Sequence, residues 1–243
     1  MTLDDSTSFT IDDDAVVWSV PTAERAERLA SQPLVVVMHG RGSHENDLAG
    51  LFPLLPEEFV YASLRATLSG QPYGLGGWTW FTPGEPAVPP VSSVEGSVSA
   101  VLAWLDRVEA QFGRAPAVAA MGFSQGGVMS IELLRSAPER FTAAANLSGF
   151  VARDAAEGDE RLAETRPPLF WGRDVEDPII AASGIERTAA FVPGHFTVTA
   201  REYPGIAHSI SSEEAGDVAA FLRAALAPSS SSSSAPSLRP SGS

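Results

Sequence analysis

Hydrophobic positions along this chain follow two rhythms that take turns. Leu34-Val-Val-Val-Met38 is β-branched with no polar break, and it predicts a central strand buried on both faces. Ala117 to Met121 is a second such run. Phe59 to Ala62, Thr142 to Leu147 and Pro168 to Trp171 predict further short strands, Phe196 to Tyr203 alternates as a last one, and Ala15 to Trp18 predicts an edge strand. The other rhythm is helical. Val94, Val98, Val101, Leu102, Leu105, Val108 and Phe112 recur at helical spacing until Gly113 ends the segment. Shorter helices are predicted near 46–55, from Val128 through Ile131 to Leu134, over 184–191, and over 213–226 with Val218, Phe221, Leu222 and Leu226 on one side. Residues 21–32 predict a loop or a short helical turn, and the charged residues 154–166 a surface excursion. Strands alternating with helices in this way predict an α/β fold with a doubly wound, mostly parallel sheet. One such domain is expected over 15–227. Before it, residues 1–14 read as a flexible acidic N-terminus. After it, 228–243, where six serines precede Ala-Pro-Ser-Leu-Arg-Pro, read as a disordered tail.

Composition narrows the partners. The net charge of −14 predicts a surface that repels phosphate backbones and anionic membranes, so no nucleic acid and no stable membrane association are expected. Cysteine is absent, which removes disulfides, a thiol nucleophile and thiolate metal sites. No apolar run is long enough to span a bilayer, and Met1-Thr-Leu-Asp-Asp has no basic segment leading into an apolar one. A cytoplasmic protein is the expectation.

The chemistry begins where the second strand pattern ends. Ala117 to Met121 runs into Gly122-Phe-Ser124-Gln-Gly126 and then into a helical pattern. Strand, sharp turn and helix are the setting that G-x-S-x-G requires, because the serine must stand at the tip of a strained turn with glycines letting strand and helix approach. Ser124 is therefore the candidate nucleophile, and the backbone N–H of Gln125, at the helix start, a candidate oxyanion donor. The first central strand delivers His39-Gly-Arg-Gly-Ser43 to the same sheet edge. This H-G-x-G form resembles the second oxyanion loop of α/β-hydrolases, which implies the N–H of Arg41 as the other donor. His39 belongs to that loop and is expected to anchor it; His44 has no supporting context.

Two further loops follow strand patterns. Gly172-Arg-Asp174-Val-Glu176-Asp177-Pro-Ile-Ile180 carries two acids, and Pro204-Gly-Ile-Ala-His208 carries a histidine. The order Ser124, Asp177, His208 is the one a Ser-Asp-His site needs in this fold class. His208 would take the serine proton and return it to the leaving group, and the acid would orient and stabilise the imidazole. Asp174 lies nearer the strand end, but Asp-Pro-Ile-Ile matches the acidic loop of esterases better, which favours Asp177. His195 precedes the last strand and so belongs to the wrong sheet edge. Trp78, Trp80 and Phe81, on a long Gly- and aromatic-rich loop, either line a substrate pocket or form a satellite core, and Phe150 is a further candidate for the pocket wall.

Taken together, His39-Gly-Arg-Gly-Ser43, Gly122-Phe-Ser-Gln-Gly-Gly127, Asp177-Pro-Ile-Ile180 and Gly205-Ile-Ala-His208 resemble the phospholipase/carboxylesterase family of α/β-hydrolases, relatives of the acyl-protein thioesterases. The resemblance implies an α/β-hydrolase fold of about seven strands without a large lid. It also implies a serine carboxylesterase acting on small to medium acyl esters through an acyl-enzyme, with no metal or cofactor. Alternatives are a thioesterase or lysophospholipase of the same family, or, in another class, a catalytically silent binding protein. The chain departs from the family pattern at Trp171-Gly, where many relatives have His-Gly, in a longer acidic loop, and at Ala181, where proline is common.

Overall fold

The computed structural model describes residues 8–82, 84 and 88–227. Its strands, in chain order, are β1 (Val17–Trp18), β2 (Leu34–Met38), β3 (Val60–Leu64), β4 (Leu68–Ser69), β5 (Trp78–Thr79), β6 (Val118–Phe123), β7 (Ala143–Leu147), β8 (Pro168–Arg173) and β9 (Thr197–Glu202). The α-helices are α1 (Arg25–Ser31), α2 (Asn46–Ala49), α3 (Val91–Phe112), α4 (Gln125–Ser136), α5 (Asp159–Thr165), α6 (Ala182–His195) and α7 (Ser212–Leu226).

Seven strands form one sheet in the order β1-β3-β2-β6-β7-β8-β9, and β4 and β5 pair separately. All neighbours in the large sheet are parallel except β1, which runs antiparallel to β3 at the edge. From β2 the chain proceeds outward to β3, then returns to β6 on the other side of β2 and works toward β9. The order therefore reverses between β2 and β6, and in open α/β sheets the crevice outside the carboxyl ends of such strands is where ligands bind.

The apolar runs explain the layering. In β2, Leu34, Val36 and Met38 point to a core shared with α1, α3 and α4, while Val35 and Val37 point to a second core shared with α2 and α7. A strand buried on both faces has no need of the polar alternation that a half-exposed strand shows. The edge strand β9 stays exposed or half-exposed along its length, so the alternation read in Phe196 to Tyr203 does not appear as alternating burial within it.

Some local expectations need correction. Residues 8–14 are held against the domain: Ile11 is buried, and Arg107 donates to the Ile11 carbonyl and to both carboxylate oxygens of Asp13. Residues 154–166 include α5, whose Leu162 is fully buried. The segment after Asn46 breaks into α2 and a 3₁₀ turn over Phe52–Leu54, because Pro53 has no N–H to continue an α-helix. The tail expected at 228–243, residues 1–7, and residues 85–87 of the proline-rich connector lie outside the described residues.

Candidate active site

Ser124 stands between β6 and α4 with φ 54° and ψ −116°, a conformation that disfavours any residue with a Cβ. Neighbouring backbone enforces it. Ser124 N–H donates to Leu147 O at 2.8 Å. A Cβ at Gly122 would fall 2.1 Å from Gly126 O, and one at Gly126 would fall 1.9 Å from Met38 O. Both glycines of the motif are thus required by contact with backbone, which cannot step aside. The first helical bond of α4 is Val128 N–H to Ser124 O, 3.0 Å, so the N–H of Gln125 lies before the helical ladder begins.

His208 lies on the loop from β9 to α7. Its Nε2 is 2.9 Å from Ser124 Oγ, and its Nδ1 is 2.7 Å from Asp177 Oδ2. A carboxylate can only accept, so Nδ1 carries the proton and Nε2 is left to accept from the serine hydroxyl. The Asp177 side chain is 1% exposed, and its Oδ1 accepts from Ile179 N–H at 2.8 Å and Ile180 N–H at 3.0 Å. The Phe123 ring packs 4.8 Å from the imidazole, centroid to centroid. Asp174 makes no hydrogen bond to His208 among the described residues. Its Oδ1 accepts from Glu176 N–H at 3.0 Å and its Oδ2 from Ala207 N–H at 2.5 Å. The N–H of Glu176 above all, then those of Ala207, Val175 and Gly205, hold this carboxyl below the usual carboxylate range against the opposing effect of desolvation.

The loop after β2 is anchored by His39. Its Nδ1 donates to Gly40 O at 2.7 Å and its Nε2 accepts from Ala66 N–H at 3.1 Å. Burial pushes its pKa down to about 4, so the ring is neutral and its tautomer is fixed by these two bonds. The backbone N–H of Arg41 has no acceptor among the described residues, and Arg41 and Gln125 line the same cavity. The Gln125 side chain has a second role that the motif alone did not reveal. Its Oε1 accepts from Thr79 Oγ1 at 2.8 Å and Trp80 N–H at 3.0 Å, and its Nε2 donates to Phe81 O at 3.0 Å. The elbow and the aromatic loop are tied together by one amide.

A cavity of about 460 Å³ opens above Ser124 and His208. Phe81 and Phe150 line it, together with Phe123, Ile179, Ile180 and Val88. Trp80 and Trp78 do not. Trp80 is fully buried in the core, where its Nε1 donates to His39 O at 2.8 Å. Trp78 sits in β5, pairs with Ser43 across an isolated bridge, and is covered by the Arg65 guanidinium at 5.0 Å. An indole needs a partner for its N–H when buried, and for Trp80 the loop carbonyl supplies it. In the sequence Ile179 and Ile180 carry no signal beyond the Asp-Pro-Ile-Ile pattern, since only the fold brings them over Ser124. His195 closes α6, where it stacks on Phe191, away from the cavity, and His44 is exposed. Among the described residues no group of three His, Asp or Glu side chains is arranged to hold a metal, and no helix is long and apolar enough to cross a membrane.

A family model described as Phospholipase/Carboxylesterase matches residues 23–226. The chain belongs to the phospholipase/carboxylesterase family. Its relatives include a probable SOBER1-like carboxylesterase of Arabidopsis thaliana, 26% identical over 46% of this chain and 44% of the relative. They also include acyl-protein thioesterase 1 of Kluyveromyces lactis, 32% identical over 43% and 48%. The chain thus spans just under half the length of the curated relatives it matches. In three dimensions it resembles the Bacillus cereus carboxylesterase, with a TM-score of 0.71 and 17% identity over 86% of this chain and 93% of that one. That likeness establishes the α/β-hydrolase fold, and among the described residues no large lid domain covers the sheet edge.

Proposed function

We propose that this member of the phospholipase/carboxylesterase family is a serine carboxylesterase that cleaves small to medium acyl esters. One observation carries the reading: Ser124 and His208 line a cavity together with Arg41 and Gln125, and His208 is hydrogen-bonded on its far side to the buried Asp177. In this reading His208 Nε2 takes the Ser124 proton as Oγ adds to the ester carbonyl. The oxyanion accepts from the N–H of Arg41 and Gln125. Collapse breaks the bond to the alcohol oxygen, which leaves with the proton from Nε2, and Ser124 holds the acyl group. Water then adds to the acyl carbon, losing a proton to the same nitrogen, and the acid departs as Oγ regains its proton. Asp177 keeps Nδ1 protonated and stabilises the imidazolium. Every group needed is on the protein, so no cofactor enters the scheme.

The cavity, near 460 Å³, falls within the roughly 300–1,000 Å³ of small-molecule sites, and its phenylalanine and isoleucine walls suit an acyl chain. A relative named as an acyl-protein thioesterase supports thioesters as a second substrate class for the same machinery. The lack of cysteine agrees with a cytoplasmic setting, which is part of the proposal. A silent binding protein would have no use for the serine–histidine–aspartate line.

The test is hydrolysis of p-nitrophenyl acetate, butyrate and octanoate by the wild type and by Ser124→Ala, with fluorophosphonate labelling alongside. Turnover highest on the shorter chains is expected, with a loss on the order of 10⁴-fold or more in the variant. Hydrolysis that survives in Ser124→Ala would overturn the assignment of the nucleophile. A wild type that neither turns over nor labels would overturn the esterase reading.

A further inference from the structure

The loop that carries His208 has an unusual backbone. Between β9 and α7 the chain passes through two left-handed residues, Gly205 at φ 84° and Ala207 at φ 55°. Glycine takes that region freely; alanine pays for its Cβ, a cost of order 1 kcal/mol or more. Ala207 is the residue immediately before the imidazole, so its conformation sets the direction from which the His208 side chain departs. Something outside the loop must hold it there.

Only one side chain among the described residues bonds the Ala207 N–H: Asp174, whose Oδ2 accepts it at 2.5 Å while Oδ1 accepts from Glu176 N–H at 3.0 Å. Asp174 is 3% exposed and immediately follows β8, at the start of the loop that carries Asp177. The carboxylate thus bridges two loops. With one oxygen it shapes the turn that presents Asp177, and with the other it grips the strained peptide that presents His208. Charge-assisted bonds from an ionised carboxylate to backbone N–H groups are short and about twice as strong as neutral ones. The backbone N–H groups around Asp174 keep it ionised, as required for both oxygens to accept.

We propose that Asp174 is a positioning residue: it acts on the reaction through Ala207, fixing His208 between Ser124 and Asp177. The inference rests on the esterase reading above and adds to it a second acid with a role distinct from that of Asp177. Its physical basis is the steep dependence of such a site on geometry, where a displacement near 1 Å costs about a hundredfold.

The experiment compares Asp174→Ala, Asp174→Asn and the double variant Asp174→Ala/Ala207→Gly with the full-length wild type, on p-nitrophenyl butyrate. Reactive serines are counted with a fluorophosphonate probe, so that kcat is expressed per competent site and a lower folded fraction drops out. For Asp174→Ala we expect kcat per labelled site to fall about 10- to 100-fold with KM within about threefold. Asp174→Asn, which keeps one acceptor oxygen, should fall less. The decisive arm is the double variant: glycine adopts a positive φ without strain, so it should regain at least about fivefold of the activity lost. Should Asp174→Ala fail to fold, the same comparison is made in Asp174→Asn with and without Ala207→Gly. A kcat per labelled site within about twofold of wild type, or a glycine that restores nothing, would overturn the positioning role. An inactive, unlabelled wild type would instead overturn the esterase reading on which it stands.

Discussion

The two ends of α4 are both rich in polar groups, yet they are built on opposite terms. At its C-terminal end Arg135 and Glu132 are completely buried, and their charges are matched. Arg135 Nη1 donates to Glu132 Oε1 at 3.0 Å and to Arg153 O at 2.8 Å, while Nε and Nη2 reach the Asp159 carboxylate at 2.8 and 2.7 Å. Glu132 in turn accepts from Arg153 Nε at 2.6 Å and from Ala152 N–H at 3.2 Å. The arrangement ties α4 to α5 and to the strand-end loop at Val151–Arg153, and its polar groups are occupied with one another. At the N-terminal end, Gln125 and Arg41 line a cavity, and so do Ser124 and His208, which are hydrogen-bonded to each other. A satisfied buried network specifies structure; an unsatisfied but pre-aimed set of donors is what a reacting group can use. The same helix supplies both because only its first turn has free N–H groups.

The contrast breaks most sharply at Asp177. Asp177→Asn keeps the shape but presents an amide that favours the wrong imidazole tautomer, with Nδ1 accepting and Nε2 protonated. Under the esterase reading kcat should drop by roughly 10⁴-fold, the scale of such a change in serine hydrolases, with little loss of thermal stability. Steady-state hydrolysis and a melting curve on the same preparation check both halves. A variant retaining a tenth of wild-type kcat would remove Asp177 from the mechanism.

At the other end, Arg135→Met should do the reverse. It leaves Glu132 buried with Arg153 as its remaining cation and strips Asp159 of its guanidinium partner. Breaking a buried pair by removing one member costs about 3–5 kcal/mol, so the urea midpoint should fall markedly. Activity per labelled serine should stay within about threefold, because nothing in the cavity is touched. An unfolding free energy lowered by less than 1 kcal/mol would mean that methionine packs against Phe191, 4.5 Å from the guanidinium, nearly as well as arginine does.

How much of this was legible in the residues follows the same division. The sheet was readable because Leu34–Met38 and Ala117–Met121 lack any polar break, and the elbow because its glycines are demanded by backbone contacts of about 2 Å. The hydrogen bond from His208 runs to Asp177, one of two acids in reach along the chain. What the sequence hid were contacts between distant segments. Trp80 on its loop reads equally as pocket wall or satellite core; what decides for burial is a carbonyl at His39, 41 positions away, that takes its N–H. Asp159 falls in a charged stretch that reads as a surface excursion until α5 is seen to bring it onto the buried Arg135. Asp174 read as a rival to Asp177, since no local pattern links it to the N–H of Ala207. The partners of a charge are set by tertiary folding, and a single sequence records only the charge.

Glu214 tests the comparison from a third position, since it is buried with neither partner nor cavity. It lies in the first turn of α7, is 0% exposed, and neither carboxylate oxygen has a hydrogen-bond partner among the described residues. It packs against Gly172, where an added Cβ would come within 2.2 Å of Oε1. Burial raises its pKa to about 7, and the nearby Asp217 adds to the rise. The folded state therefore prefers the protonated acid. Below the unfolded value near 4.3 both states are protonated and no penalty arises; as pH climbs from there to about 7 the unfolded chain ionises first and stability is lost, and above about 7 the loss is complete. Glu214→Gln mimics the neutral acid at every pH. The variant should match the wild type near pH 4 and exceed it by roughly 1–3 kcal/mol at pH 8, with urea melts at the two pH values as the measurement. Equal pH slopes in the two proteins would mean that Glu214 is solvated in the folded state and carries no such penalty.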